Sequence, residues 1–132
     1  MNNIEKSEKT IAMILNFLLE KGLQEGDLNG GTLKLSDELA PFFTTSYKWL
    51  EAEGIVRSAQ IVESMNEGIF ILNPVLTSHG LSLMDTQIRY GDDMVSVAEA
   101  VVSVSSSDRS LSQAGDFTGG FVGGLMKALG SG

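Results

Sequence analysis

An amphipathic segment near the start of the chain is the sequence feature that most restricts the fold. Apolar residues recur every three or four positions, at Ile11, Ile14, Leu15, Leu18 and Leu19. This spacing places them on one face of an α-helix, and other parts of the chain must cover that face. Asn2 and Glu5 have the spacing of a capping box, and Gly22 is a typical C-terminal stop. We therefore predict a first helix over about residues 4–21.

The segment after this helix predicts a loop, a short strand and a short second helix. Residues 26–31 have the composition of a loop, and the alternation in residues 32–35 suits a short strand. Ser36 is a candidate N-cap for the second helix, which Pro41 ends or bends. These elements connect the first helix to a longer third one.

A third helix is predicted to start at Thr44 or Thr45, either of which can cap it, and to end at Glu53 before Gly54. The aromatic residues around it are expected to belong mostly to the core. Phe43 and Leu50 are the first choices for burial, beside Leu15, Leu18 and Leu39. If Trp49 is exposed, it becomes a candidate interface residue.

After Gly54 the sequence pattern changes from helical to extended. Residues 55–64 and 69–72 are rich in β-branched side chains, and residues 65–68 between them suit a hairpin turn. Pro74 ends the second strand, and Thr77 can cap a fourth helix. The apolar residues of that helix are Leu81, Leu83, Met84 and Ile88.

Two stretches of the chain resemble known sequences. Leu39-Ala40-Pro41 leading into residues 47–56 resembles the passage from the third helix to the wing in many bacterial winged-helix regulators. Leu76-Thr77-Ser78-His79-Gly80-Leu81 resembles the entry into the helix that follows their wing. The resemblance covers about residues 10–90. It implies a mainly α fold with a small β-hairpin (α+β), a winged helix-turn-helix domain placed at residues 1–90, and it does not by itself determine function.

Residues 91–112 predict either a helix or a strand, followed by a linker. Asp92 and Asp93 can cap a helix with apolar residues on one side, but the valines make a strand nearly as good an interpretation. The apolar residues in question are Met94, Val97, Ala98, Val101 and Val102. The serine-rich run 103–112 is typical of a linker.

The glycine-rich segment 113–132 is the most unusual part of the sequence, and we call it the tail. Its candidate docking residues are Phe117, Phe121, Val122, Leu125, Met126 and Leu129. Glycines at positions 119, 120, 123 and 124 weaken an isolated helix by about 1 kcal/mol each, so a partner surface has to compensate. The alternatives are a chain end without a role and, less favoured, an interfacial membrane anchor, which lacks the usual cationic face.

The charge balance bears on the choice of partner. The chain has a formal net charge of −8; residues 1–90 carry 12 acidic and 7 basic side chains, and residues 91–132 carry 5 and 2. Nucleic-acid binding depends largely on Lys and Arg contacts to phosphates, so this balance weakens DNA binding without excluding one basic face. The absence of cysteine excludes disulfides and cysteine metal sites.

The third predicted helix holds the candidate contacts to DNA or to a protein partner. They are Thr44, Thr45, Ser46 and Lys48, whose hydroxyls and ammonium group can bond bases or phosphates. Glu51 and Glu53 follow these residues closely in the sequence, and they would repel a phosphate backbone if they faced it. No Lys or Arg lies between Arg57 and Arg89, so the predicted wing has no base to follow the phosphates. This pattern favours a protein partner.

No residue pattern indicates catalysis, a metal or a cofactor. Asp27, Asn29 and Glu38 match an EF-hand loop only loosely, because Thr32 stands where that loop requires glycine. His79 is the one histidine, and sequence spacing identifies no convergent partners for it. The glycines form neither a P-loop nor a dinucleotide-binding motif. We expect a protein that is not an enzyme.

These observations lead to one main functional hypothesis. We expect a non-enzymatic adaptor or regulator that acts through protein–protein contacts, with the tail supplying self-association, as in a homo-oligomer, or docking. The alternatives are a DNA-binding transcriptional regulator that uses the third helix and the wing, and an acidic mimic of DNA. The chain begins without a signal-peptide pattern and has no apolar run near the ~20 residues of a membrane span, so we expect a cytoplasmic protein.

Overall fold

The computed structural model describes residues 2–66, 68–90 and 92–106. The helices in these ranges are α1 (Asn3–Lys21), α2 (Phe43–Ala52), α3 (Ser78–Met84) and α4 (Val97–Ser106), with a 3₁₀ helix at Ala40–Phe42. The strands are β1 (Asp27–Leu28), β2 (Val56–Arg57), β3 (Gln60–Ser64), β4 (Gly68–Leu72), β5 (Val75–Leu76), β6 (Gln87–Tyr90) and β7 (Asp93–Ser96). Helices with small antiparallel sheets confirm the predicted α+β class.

The first helix forms as its sequence predicts. The Asn2 side chain accepts a hydrogen bond of 2.8 Å from the backbone N–H of Glu5, which satisfies one of the free donors at the start of α1. At the other end Gly22 has a φ of 65°, and its N–H donates to the Leu18 carbonyl at 2.9 Å. The predicted apolar face is buried, so α1 serves as the element against which the rest of the domain packs.

The prediction of a strand at residues 32–35 is wrong. Lys34 has a φ of 56°, in the left-handed region, and its N–H donates to the Gly31 carbonyl at 3.1 Å. The chain therefore turns where an extended strand was expected. The short strand that follows α1 is instead β1, which lies within the segment predicted to be a loop and pairs with the end of β4.

The second predicted helix reduces to a turn and the 3₁₀ helix. The carbonyl of Ser36 accepts from the N–H groups of Leu39 and Ala40 at 3.0 and 2.8 Å, which closes one turn. Pro41 lies in the first turn of the 3₁₀ helix that follows, a position where its missing N–H costs little. Because this helix runs directly into α2, neither Thr44 nor Thr45 caps α2, and that prediction is also wrong.

The described strands form three small antiparallel sheets. β4 lies between β1 and β3, β2 pairs with β5, and β6 pairs with β7. In the β3–β4 hairpin, which the sequence predicted, Val62 is opposite Phe70. The strand predicted over residues 55–64 is divided in two, because β2 pairs with β5 and β3 pairs with β4.

The region after the hairpin is held by the N-cap of α3 and by the close contact between α3 and β2. The Thr77 hydroxyl oxygen accepts from the N–H of Gly80 at 2.9 Å, as predicted. The N–H of Thr77 donates to the Ile55 carbonyl at 2.9 Å, which attaches the start of α3 to the residue before β2. Ile88, predicted to continue this helix, lies in β6, because the chain turns after Met84 through the N–H of Thr86 bonded to the Leu83 carbonyl at 3.0 Å.

Helix α4 belongs to the same hydrophobic core as α1. Its buried residues Val97, Ala100, Val101 and Val104 are fully inaccessible to solvent. The Lys9 ammonium group donates to the carbonyls of Val104 and Ser105 at 2.9 and 3.0 Å, where a cation stabilises a helix C-terminus. The core therefore extends past residue 90, and residues 103–106 are helical instead of part of a linker.

The residues predicted to be buried around the third predicted helix are buried in the structure. Phe43 and Leu50 on α2 are buried, and so are Leu15, Leu18 and Leu39. Tyr47 lies on the same face of α2, with its ring buried and its hydroxyl without a hydrogen-bond partner among the described residues. Burial raises the pKa of the Tyr47 hydroxyl; the nearby Ser58 opposes this shift without reaching hydrogen-bond geometry, and the charge of Glu51 adds to it.

Replacement of this tyrosine is expected to stabilise the protein. Tyr47→Phe removes a buried hydroxyl that has no partner, so the free energy of unfolding should rise by about 1 kcal/mol. Urea denaturation at pH 7 measures the change, and a loss of stability would show that the hydroxyl has a favourable partner.

Tyr47→Phe is also expected to change how the folding stability depends on pH. The pKa of Tyr47 is higher in the folded than in the unfolded chain, so the folded state favours the neutral hydroxyl. The contribution to stability that depends on this neutral form is fully present below the unfolded pKa of about 10. That contribution is lost as the pH rises through the folded pKa. The stability of wild type should therefore fall more steeply above about pH 10 than that of Tyr47→Phe.

Candidate interaction surface

The β3–β4 hairpin carries apolar side chains on both of its faces. Ile61, Ile69 and Ile71 lie on the inner face, where Ile69 and Ile71 are buried. Alternate residues of the two strands point the other way and form what we call the outer face. It contains the apolar residues Val62, Phe70 and Leu72, together with the uncharged residues Gln60, Ser64 and Gly68. Val62 is 41% exposed, and Phe70 and Leu72 are half-buried. The outer face thus presents a row of apolar side chains to solvent.

The turn of the hairpin extends this apolar row. Met65 is fully exposed at the tip, next to the end of β3. Single exposed apolar residues are common on protein surfaces, whereas a contiguous set on one element is typical of an interaction site. Methionine is also a side chain that adapts its shape to different partner surfaces.

One ion pair connects α2 to the hairpin. The Lys48 ammonium group lies 2.8 Å from a carboxylate oxygen of Glu63, and both side chains are largely exposed. Glu63 is opposite Ile69, so it projects from the inner face towards α2. The hydrogen bond from Lys48, followed by its positive charge, lowers the pKa of Glu63 below the ordinary value.

This pair is expected to break in acid. A carboxyl group whose folded pKa is lowered contributes stability above its unfolded pKa, and that contribution disappears as the pH falls through the folded pKa. An NMR titration of the Glu63 carboxyl carbon should therefore show a midpoint below that of an ordinary glutamate. Lys48→Met should move the midpoint up, whereas Lys34→Met should leave it unchanged; equal midpoints in wild type and Lys48→Met would contradict the pairing in solution.

Three further lysines are engaged within the domain. Lys6 lies 3.8 Å from Glu38 and 5.7 Å from the centre of the Phe42 ring. Lys9 is bonded to the end of α4, as described above. Lys21 donates to the Pro74 carbonyl at 2.9 Å and also to the Gln24 carbonyl. The remaining basic side chains in the described ranges are Lys34, Arg57 and Arg89, which lie on a loop, on β2 and on β6.

The candidate contact residues on α2 do not share one environment. Thr45 and Lys48 are exposed, and Thr44 is half-buried. Ser46 is only 3% exposed, so the expectation that it lies on the surface is wrong. The reason is the register of α2, because Ser46 lies on the helix face that also holds Phe43, Tyr47 and Leu50.

The other predicted site residues have less distinctive positions. Trp49 is half-buried and packs against the core, so the exposure that would have made it a candidate interface residue is not observed. His79 is exposed in the first turn of α3. The tail residues proposed for docking, from Phe117 to Leu129, lie outside the described residues.

A groove lies between the loop 29–35, the start of α2 and the start of β4, and we call it the hairpin groove. Its volume is about 390 Å³. The residues that line it are Asn29, Gly30, Gly31, Lys34, Leu35, Ala40, Phe43, Thr44, Gly68, Ile69 and Phe70. Lys34 is the one charged side chain in this lining, because no Asp, Glu or Arg is among these residues.

Neither the outer face nor the hairpin groove was predicted from the sequence. A signal for the outer face was present, because residues 69–72 are apolar at every position, which is typical of a strand covered on both sides. The groove left no local signal, since it depends on where the loop 29–35 lies relative to β4. Neither surface includes a metal site: in the described ranges, no three His, Cys, Asp or Glu side chains are placed to hold an ion.

A functional assignment has to be based on this geometry, because the chain has no match among known proteins. No family model, no curated protein and no solved structure matches the chain. Among the described residues, no helix combines the length and apolar character needed to cross a membrane.

Proposed function

We propose that this chain is a non-enzymatic adaptor or regulator that binds another protein through the outer face and tip of its hairpin. The domain is of winged-helix type, with α2 as its third helix and the β3–β4 hairpin as its wing. The element order supports this assignment, and so does the sheet, in which a short strand after the first helix pairs with the second strand of the hairpin. The helix before α2 is reduced to the 3₁₀ turn Ala40–Phe42.

The observation that carries the proposal is the apolar row on the outer face. Val62 and Phe70 form a directly opposed cross-strand pair, and Met65 extends the row at the tip. The centres of protein interfaces are depleted in charged residues and enriched in aromatic residues and methionine. The outer face has this composition although the protein is strongly acidic.

The charges around α2 favour a protein partner over DNA. A recognition helix needs cations that are available to phosphates, but Lys48 is paired with Glu63 of the wing itself. Lys6, Lys9 and Lys21 are bonded within the domain. Phosphates that approached these four lysines would therefore have to displace existing contacts, and Glu51 and Glu53 add repulsion near α2.

The proposal is tested by loss of binding when the outer face is charged. The variant Val62→Glu with Met65→Glu should reduce capture of a partner from an extract of the source cells at least tenfold. Met94→Glu is a matched control, because Met94 is also an exposed methionine on a strand, in β7. Equal capture by wild type and the outer-face variant would overturn the proposal.

A parallel experiment distinguishes the alternative function. Fluorescence anisotropy with a mixed-sequence DNA duplex at low salt should show no binding at micromolar protein concentrations. If binding is observed, if it weakens steeply with salt, and if Lys48→Glu abolishes it, the chain is a DNA-binding regulator instead.

A further inference from the structure

One side of β4 is left without a partner strand, among the described residues, along three of its five residues. β1 pairs only with Leu72 and Ile71, whereas β4 continues to Gly68 and is paired with β3 over its whole length. After Leu28 the chain turns away into the loop 29–35, so in the described ranges no strand pairs with the other edge of β4 from Gly68 to Phe70. An unpaired edge is a ready template for an added strand.

The hairpin groove opens along this unpaired edge. Gly68, Ile69 and Phe70 line it on the β4 side, and Leu35 and Phe43 add apolar surface to the lining. Lys34 is the one charge in the lining, in a protein whose net charge is −8. The groove therefore suits a short extended segment that combines an apolar side chain with a carboxylate.

The chain itself contains such a segment, Asp116-Phe117-Thr118, ten residues after the end of α4. Ser105 and Ser106, at the end of α4, line a neighbouring cavity of about 260 Å³ together with Thr32 and Leu33. Thr32 and Leu33 belong to the same loop that borders the hairpin groove. Ser106, the last described residue, thus lies beside this loop. The ten residues from Ser106 to Asp116 can extend up to ~33 Å.

We infer that residues 116–118 of the same chain (Asp-Phe-Thr) occupy the hairpin groove as a short strand alongside Gly68–Phe70. The Asp116 carboxylate pairs with Lys34, and the Phe117 ring packs against Leu35 and Phe43. Gly115 and Gly119 flank the segment, and glycine disfavours continuation of a strand, so the added strand matches the three unpaired residues of β4.

This inference rests on the docking role that the main functional hypothesis gives to the tail. Binding within one chain is favoured because a tethered segment has an effective concentration in the millimolar range, so weak contacts suffice. The added strand also covers an edge that would otherwise be open to pairing with other molecules.

Amide hydrogen exchange of the full-length chain, followed by NMR, tests the inference. The amides of Gly68–Phe70 that do not face β3 should be protected in wild type. Asp116→Lys or Lys34→Glu should each reduce their protection at least tenfold, and the double variant should restore it by reversing the charge pair. Phe117→Ala should act like the single variants. Lys127→Glu and Phe121→Ala are matched controls elsewhere in the tail and should have no effect.

The outcomes separate this inference from the proposed function. Unchanged protection in all variants would overturn tail docking while leaving partner binding by the outer face untouched. A wild-type dimer whose protection depends on concentration would also overturn it, because the segment would then come from a second copy. Protection at Ile71, which pairs with Leu28, reports whether each variant is folded.

Discussion

A chain that ends after Tyr90 is expected not to fold, whereas a chain that ends after Ser112 should keep the native structure. The proposed winged-helix domain ends near residue 90, but the packing does not. Removal of α4 exposes the side of α1 that it covers and deletes four fully buried residues from the core.

The apolar burial that is lost with α4 is large enough to unfold the 1–90 chain. Val97, Val101 and Val104 are completely buried, and each such side chain contributes about 1.5–3 kcal/mol on burial. Together they contribute about 5–9 kcal/mol, comparable to the entire net stability of a small domain, about 5–15 kcal/mol. The shorter chain also loses the hydrogen bond of 3.0 Å between the Tyr90 and Ser103 hydroxyls.

Circular dichroism and urea denaturation of both truncated chains measure the effect. The 1–112 chain is the matched control, because it also lacks the tail but keeps α4. A cooperative unfolding transition in the 1–90 chain would show that α4 is an accessory to an independent domain.

The second large effect is expected at Gly80. A Cβ at this position would lie 2.2 Å from the Ile55 carbonyl oxygen and 3.1 Å from its carbon, both of which are backbone atoms. That carbonyl is held in place by the Thr77 N–H, so it cannot move without loss of the contact between α3 and β2. Gly80→Ala should therefore lower the free energy of unfolding by about 2–3 kcal/mol, although alanine favours helices by about 1 kcal/mol.

A matched glycine variant separates this clash from the general effect of added methyl groups. At Gly30 the same Cβ would meet only a Leu35 methyl group at 3.9 Å, an ordinary van der Waals contact. Gly30→Ala should change the stability by no more than about 0.5 kcal/mol. Similar stabilities of Gly80→Ala and Gly30→Ala in urea would contradict the close packing of α3 on β2.

Capping residues and side-chain spacing were sufficient to predict α1, the hairpin and the start of α3. Asn2 and Thr77 accept the hydrogen bonds expected of N-caps, and both act within three residues of their partners. The signal for the hairpin is equally local, because segments rich in β-branched residues flank a short turn. Such features depend on neighbours in the sequence.

The errors between residues 32 and 46 have a common origin in longer-range structure. Lys34 adopts a left-handed conformation that no local signal required, so the expected strand becomes a turn. The 3₁₀ helix then continues directly into α2, which shifts the helix start to Phe43. Once α2 begins there, Ser46 lies on its buried face.

The sequence by itself determined which segments have an apolar face to bury and where several helices begin and end. Only the tertiary structure decided what covers each face: α4 covers α1, β2 pairs with β5 instead of continuing into β3, and the outer face of the hairpin is left exposed. The physical reason is that periodicity reports the need for burial, which is a local property, whereas the partner that satisfies it is chosen by packing among residues distant in sequence.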